Sequence, residues 1–198
     1  YSTIWSRVMT SILKVDNIQK ANGSTPTAGD LGINTTGSVL QIQSTAKTNQ
    51  SNINANINVG FASYPVIMSV NITPTSSSSK ILINYLISGS ADNSIHMVST
   101  IRRTVGGVVT HPALGDAASG FERASTGTRG IGSNTYAVAQ QGFQFLDSPS
   151  TTSQITYDIV GASESANTWH INSNGENTST GSWSTRFVST VTVTEIGG

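Results

Sequence analysis

The feature that most constrains this chain is a two-residue alternation of apolar and polar side chains that keeps returning along it. Asn52, Asn54, Asn56 and Asn58 alternate strictly with Ile53, Ala55, Ile57 and Val59, the period of a strand with one buried face. Val66, Met68, Val70 and Ile72 share a face, and Pro74 with the serine run at 76–79 closes that segment. Ile81, Ile83, Tyr85 and Ile87 then form the next strand, so the two read as a hairpin. Residues 97–105 and 108–110 flank Gly106-Gly107, a two-residue spacing suited to turns that need positive φ. Further strands are expected at 137–145, at 154–160 with Ile155, Tyr157 and Ile159 in phase, around 169–172, and at 187–196.

No stretch of a dozen residues places apolar side chains at 3.6-residue spacing between credible caps, so helix content is expected to be small. About eight strands, with long loops at 89–95, 114–136 and 172–182, predict an all-β chain built as a jelly-roll-like β-sandwich. Its core is expected to hold Ile81, Ile83, Tyr85, Ile155, Tyr157, Ile159, Val191 and Val193.

Composition narrows the partners. Charged residues are 10% of the 198, Lys+Arg equals Asp+Glu, and the formal net charge is zero. A nucleic-acid-binding surface needs a concentration of cations that this chain lacks. Richness in Val, Ile and Thr argues for a folded β protein rather than disorder. With no cysteine, disulfide staples, cysteine zinc sites and thiol nucleophiles are excluded. No apolar run approaches the ~20 residues that span a bilayer, so no membrane insertion is expected.

The first part of the chain reads differently. Met9-Thr10-Ser11 looks like a natural start, which makes residues 1–8 either added sequence or an upstream extension. Between 12 and 43, short apolar clusters (Leu13, Val15, Ile18, Leu31, Ile33, Val39, Leu40 and Ile42) are separated by the turn formers Asn22-Gly23, Thr25-Pro26 and Thr36-Gly37. So interrupted a segment cannot bury a core alone. Residues 1–45 are therefore expected to be an oligomerising attachment segment, ordered against copies of itself or a neighbouring protein, and 46–198 the sandwich.

Catalytic patterns are sparse. His96, His111 and His170 have no His, Asp or Glu at metal-ligand spacing, and no G-x-S-x-G elbow accompanies the many serines. Among the ten acidic residues, Asp92, Asp116 and Glu122 fall in expected loops and Asp158 and Glu195 in strands. A pair of them could serve glycosidic cleavage, but no motif singles one out. The glycines of 127–132 lack phosphate-loop spacing and read as a flexible loop, and no cofactor motif is present. Trp169, His170 and Trp183 bracket a polar stretch with Asn172, Asn174, Glu176 and Asn177, an arrangement able to hold sugars, although packing of the sandwich rim or a subunit interface is the favoured reading of these tryptophans.

Several segments resemble the tail-fibre and related appendage proteins of marine tailed phages, especially those infecting cyanobacteria. SILKVDNIQ at 11–19 and TPTAGDLGI at 25–33 are similar to their recurrent start. ITPTSSSSKILI at 72–83, FLDSPSTTSQITY at 145–157 and STVTVTEI at 189–196 are similar to the framework of their C-terminal domain. The resemblance implies a virion protein, assembled in the host cytoplasm, trimeric, with a jelly-roll head, and without enzymatic activity. Its partners would be itself, other virion structural proteins and a host cell-surface glycan. Loops at one end of such a head carry recognition, which makes Phe121, Arg123, Arg129 and Trp183 the candidate receptor contacts. A capsid or tail decoration protein without receptor binding is the alternative reading, and a polysaccharide-degrading tailspike a third.

Overall fold

The computed structural model describes residues 17–26, 29–31, 35–91, 94–130, 137–175 and 184–198. Two compact units divide at Thr35/Thr36. In the first, the Asn22-Gly23 turn is closed by Gly23 N donating to the Lys20 carbonyl oxygen at 2.8 Å, with Gly23 at φ +81°. A short 3-10 turn covers Gly29–Leu31, and Lys20 pairs with Asp30 at 2.6 Å. Of the leader's apolar residues, Ile18 and Leu31 are exposed, while Leu13, Val15 and Ile33 lie outside the described residues.

The second unit is a sandwich. Its strands are β1 (Val39–Lys47), β2 (Ser51–Ile53), β3 (Val66–Ile72), β4 (Lys80–Ala91), β5 (His96–Val105), β6 (Val108–Thr110), β7 (Thr126–Arg129), β8 (Ala139–Asp147), β9 (Ile155–Ser163), β10 (Trp169–Ile171) and β11 (Ser189–Ile196). β1 pairs with β11, β3 with β9, β4 with β8 and β5 with β7, all antiparallel. These nested pairs are what two long antiparallel arms leave when they wind around a common core, and they define a jelly roll. The β11–β4 and β9–β5 pairings join them into two sheets. The first sheet runs β1-β11-β4-β8 with β10 and β2 alongside the end of β4; the second runs β3-β9-β5 with β6 and β7 along β5.

The inner faces carry the alternation. All eight residues expected in the core are 0–1% exposed and belong to one cluster with Met97, Ile101, Trp169 and Ile171. Gly106 and Gly107 both take positive φ, +54° and +82°, in the tight β5–β6 turn. Gly161 makes room where β9 passes the core. A Cβ there would stand 2.8 Å from the Ile67 and Trp169 side chains.

Four expectations need correction. The sandwich begins at Thr36, not at residue 46, because β1 is its edge strand; an edge strand is half-solvated, so its alternation is blurred. The 52–59 strand stops at Ile53. Asn56 turns its side chain onto the Asn58 amide at 3.0 Å and starts a 3-10 turn at Ile57–Val59, the competition that Asn offers to regular backbone pairing. β7 lies inside the expected 114–136 loop and takes in Gly127, and β4 continues into the expected 89–95 loop.

Polar groups close the end of the sandwich at which the chain enters and leaves it. Gly37 N donates to the Gly197 carbonyl oxygen at 2.7 Å, and Gly197 N to that of Ser38 at 2.9 Å. Glu195, fully buried on the core face of β11, accepts from Gln41 Nε2 at 2.6 Å and from the Thr75 amide and hydroxyl at 2.7 Å each. Burial alone would raise its pKa. The hydrogen bonds outweigh that and hold it below the usual value of 4.5.

Two outcomes follow from this packing. Ile83→Ala, which empties a site in the centre of the core, should lower unfolding free energy by ~2–5 kcal/mol, measured by denaturant titration. Glu195→Gln turns an acceptor for three donors into a group with one acceptor oxygen and a clashing amide, and should cost ~1–3 kcal/mol at pH 7. A depressed folded-state pKa stabilises fully above the unfolded value of 4.5 and loses that contribution as pH falls through the lower folded value. The gap between wild type and Glu195→Gln should therefore narrow on acidification below pH 4.5.

Candidate functional site

The second sheet does not leave its outer face bare. The segment between β2 and β3 folds over it, seating Tyr64 on Val160 and Ala162 of β9, with Ile57, Phe61 and Val98 packed around them. Tyr64 donates its hydroxyl to the Ile57 carbonyl oxygen at 3.1 Å. Burial, and secondarily the negative charge of Glu122, push its pKa up to about 12, so it stays a neutral donor at physiological pH.

Two open clefts adjoin this covered region and share Glu122. The first, ≈ 430 Å³, is lined by Ile57, His96, Met97, Val98, Glu122 and the β7 residues up to Arg129. Arg129 donates to His96 Nε2 at 3.4 Å, which requires that nitrogen to be the unprotonated one, since a guanidinium has no acceptor. The His96 amide donates to Glu164 at 3.1 Å, fixing the start of β5 against the end of β9. The second cleft, ≈ 380 Å³, runs from Gly115 to Ala124 and includes Asp116, Phe121 and Arg123. Arg123 Nε donates to the Gly115 carbonyl oxygen at 2.7 Å, and its guanidinium carbon lies 5.8 Å from the Phe61 ring centre. Phe61 in turn meets His111 edge-on at 4.9 Å. Burial, then the charge of Arg102, hold His111 below its usual 6.5.

The four sequence-derived contacts are thus divided. Phe121, 76% exposed, and Arg123 line one cleft, Arg129 the other, while Trp183 lies outside the described residues. Phe61, His96 and the shared Glu122 were not singled out as contacts. Phe61 and His96 come from distant segments, and the only local signal was the aromatic pair Phe61 and Tyr64 between Gly60 and Pro65. Between them the clefts join apolar side chains, Ile57, Met97 and Val98 in one and Phe121 in the other, to arginine and carboxylate groups, features that suit a sugar's C–H faces and hydroxyls.

Other candidates take structural positions. Trp169 is buried in the core, and His170, nearly buried, contacts Asn52 at 3.2 Å. Asn172 is fully buried, at φ +60°, and donates to the Lys47 carbonyl oxygen at 2.7 Å while accepting from Ser189 at 2.6 Å. It ties the β1–β2 turn to β11. Asp158 accepts from both Nε and Nη2 of Arg102, at 3.1 and 2.9 Å, and from Ser69 at 2.5 Å. Asp158 alternates with the inward Tyr157 and Ile159 and so faces away from the core, whereas Glu195 is in phase with the inward Val191 and Val193, so the two strand carboxylates do not converge. Asp92 lies outside the described residues.

No protein-family model matches this chain, and no curated protein matches it. Solved structures similar to it include a chain of infectious bursal disease virus, Gt strain, at 12% identity and TM-score 0.39, covering 81% of this chain and 39% of that one. Another is the infectious bursal disease virus VP2 subviral particle, at 14% identity and TM-score 0.34, covering 80% of this chain and 38% of that one. The chain spans about two fifths of the length of those it matches.

Proposed function

We propose that this chain is a virion structural protein of a tailed phage, a short tail fibre or appendage tip that works as a homotrimer and attaches the particle to its host. The observation that carries this reading is the polarity of the sandwich. The chain arrives at Thr36 and leaves at Gly198 at one end, while the cleft of His96 and Arg129 lies at the start of β5, the opposite end. A module attached through one end and open at the other is built to present a surface. The framework segments that resemble phage appendage proteins meet at the attached end: Thr75 and Glu195 in one contact, Asp147 and Tyr157 in another.

A host-surface glycan is the ligand class the clefts suit. With no net charge there is no long-range steering, so single contacts are weak and attachment depends on several copies engaging together. Cleavage of that glycan is not part of the proposal: Asp158 and Glu195 are held by their own partners, and Asp116 and Glu122, which line one cleft, carry no motif that marks them as the paired acid and base of glycosidic cleavage.

The test is binding of the purified protein to cyanobacterial cell envelopes and to a glycan array, for wild type, Phe121→Ala and Arg129→Ala. Both side chains are exposed, so thermal melting should stay within the range of surface substitutions, while envelope binding should fall by about tenfold or more. Unchanged binding in both variants would remove the clefts as the contact surface and favour the decoration reading.

A further inference from the structure

The two outer faces of the sandwich are treated unequally. The second sheet is roofed by the chain's own β2–β3 segment, but nothing among the described residues of the sandwich covers the outer face of β1, β11, β4 and β8. The residues there are set by register. Ile42, Thr194, Leu82 and Leu146 lie side by side in one cross-strand row, and Ala46, Thr190, Leu86 and Gly142 in another. Ile42 is 58%, Leu86 37% and Leu146 45% exposed. A row of Ser44, Thr192, Asn84 and Gln144 lies between them. From Ile42 to Ala46 across to Leu146 the face carries no charge, with Lys80 at its margin. Gly142 leaves a shallow depression of ≈ 410 Å³ beside Leu86 and Gln144.

We infer that this face is a self-association surface whose occupant is a second copy of the same chain; the inference rests on the oligomeric reading proposed above. Two observations select that occupant. A face without charge gives a charged partner nothing to recognise, yet brings two identical chains together with no like-charge repulsion. The face is also self-complementary, because it offers both aliphatic knobs, Leu86 and Leu146, and a side-chain-free hollow at Gly142 to receive one. Its extent is sufficient. Four strands at ~4.8 Å and nine residues at ~3.3 Å cover roughly 19 by 30 Å, or ~1,100 Å² over two copies, above the ~1,000 Å² that separates specific interfaces from incidental ones. Face against face gives a twofold dimer, whereas a threefold ring sets the face against a second patch of the next copy, for which the exposed apolar start of β1, Val39 and Leu40, is suited.

Sedimentation analysis of the full chain tests this with Leu86→Lys and Leu146→Lys, using Val109→Lys on the opposite sheet as control. All three positions are exposed in the single chain, and circular dichroism melting of each dilute variant checks its fold. The expected result is that both face variants weaken association at least tenfold or sediment as monomers with their β spectrum intact, and that Val109→Lys leaves the mass unchanged. A trimer that persists in both face variants overturns this surface and leaves the trimeric reading standing. A wild-type dimer lost in both variants supports the surface and overturns the threefold reading. A wild type that stays monomeric at the highest attainable concentration overturns both.

Discussion

Two sheets facing each other through isoleucines have little to fix their relative position, since one branched aliphatic side chain packs against another in many registers. Asp147 removes that freedom. It sits on the inner face at the end of β8 and reaches across to the other sheet, accepting from Arg103 Nη1 at 2.9 and 2.8 Å and from the Tyr157 hydroxyl at 2.7 Å. Burial, and then the adjacent carboxylate, drive the Tyr157 pKa upward, so the phenol remains a donor. Arg103 also donates to Thr110 at 3.1 Å, drawing the β5–β6 hairpin into the same cluster. Midway along the core, Tyr85 of the first sheet meets Ser99 of the second at 2.8 Å, and Ser99 donates to Gln141 at 2.7 Å. A buried ion pair adds little net stability over an apolar replacement of equal shape, but directional bonds exist in one register only, and that is what they contribute between otherwise interchangeable aliphatic faces.

The same geometry explains which parts of the fold were legible in the sequence. β4, β9 and β11 are interior strands whose inner residues meet the opposite sheet along their whole length, so Ile81, Ile83, Ile155, Ile159, Val191 and Val193 stand in phase. β1 is solvated along one edge, and β7 has β5 as its one hydrogen-bonded neighbour among the described strands. Neither needs a row of apolar side chains, and Thr126-Gly127-Thr128-Arg129 carries none. Residues 54–59 show the opposite failure, a perfect alternation that the backbone leaves because asparagine side chains offer it other partners.

The candidate site was legible in part for a related reason. Phe121, Arg123 and Arg129 stand out as an exposed ring and two cations in a chain otherwise poor in charge, which is a local signal. Their partners come from distant segments, His96 by the pairing of β5 with β7 and Phe61 by the folding of the β2–β3 segment over the second sheet. Phe61 is placed by the 3-10 turn Phe61–Ser63, and that turn lies against the second sheet because Tyr64 is buried there. The buried aromatic fixes the half-buried one.

Low charge, cleft and bare face then belong to one account. A neutral surface forgoes electrostatic steering, and an open cleft of a few hundred Å³ holds only a small part of any extended glycan. Affinity on such terms has to be multiplied rather than deepened, and joining copies through a separate surface raises effective concentration without adding a contact at the cleft. On the proposed reading the two tasks are kept apart. The clefts open beside the sheet that the chain roofs with its own residues, whereas the charge-free face lies on the other sheet, so copies joined through that face leave every cleft open.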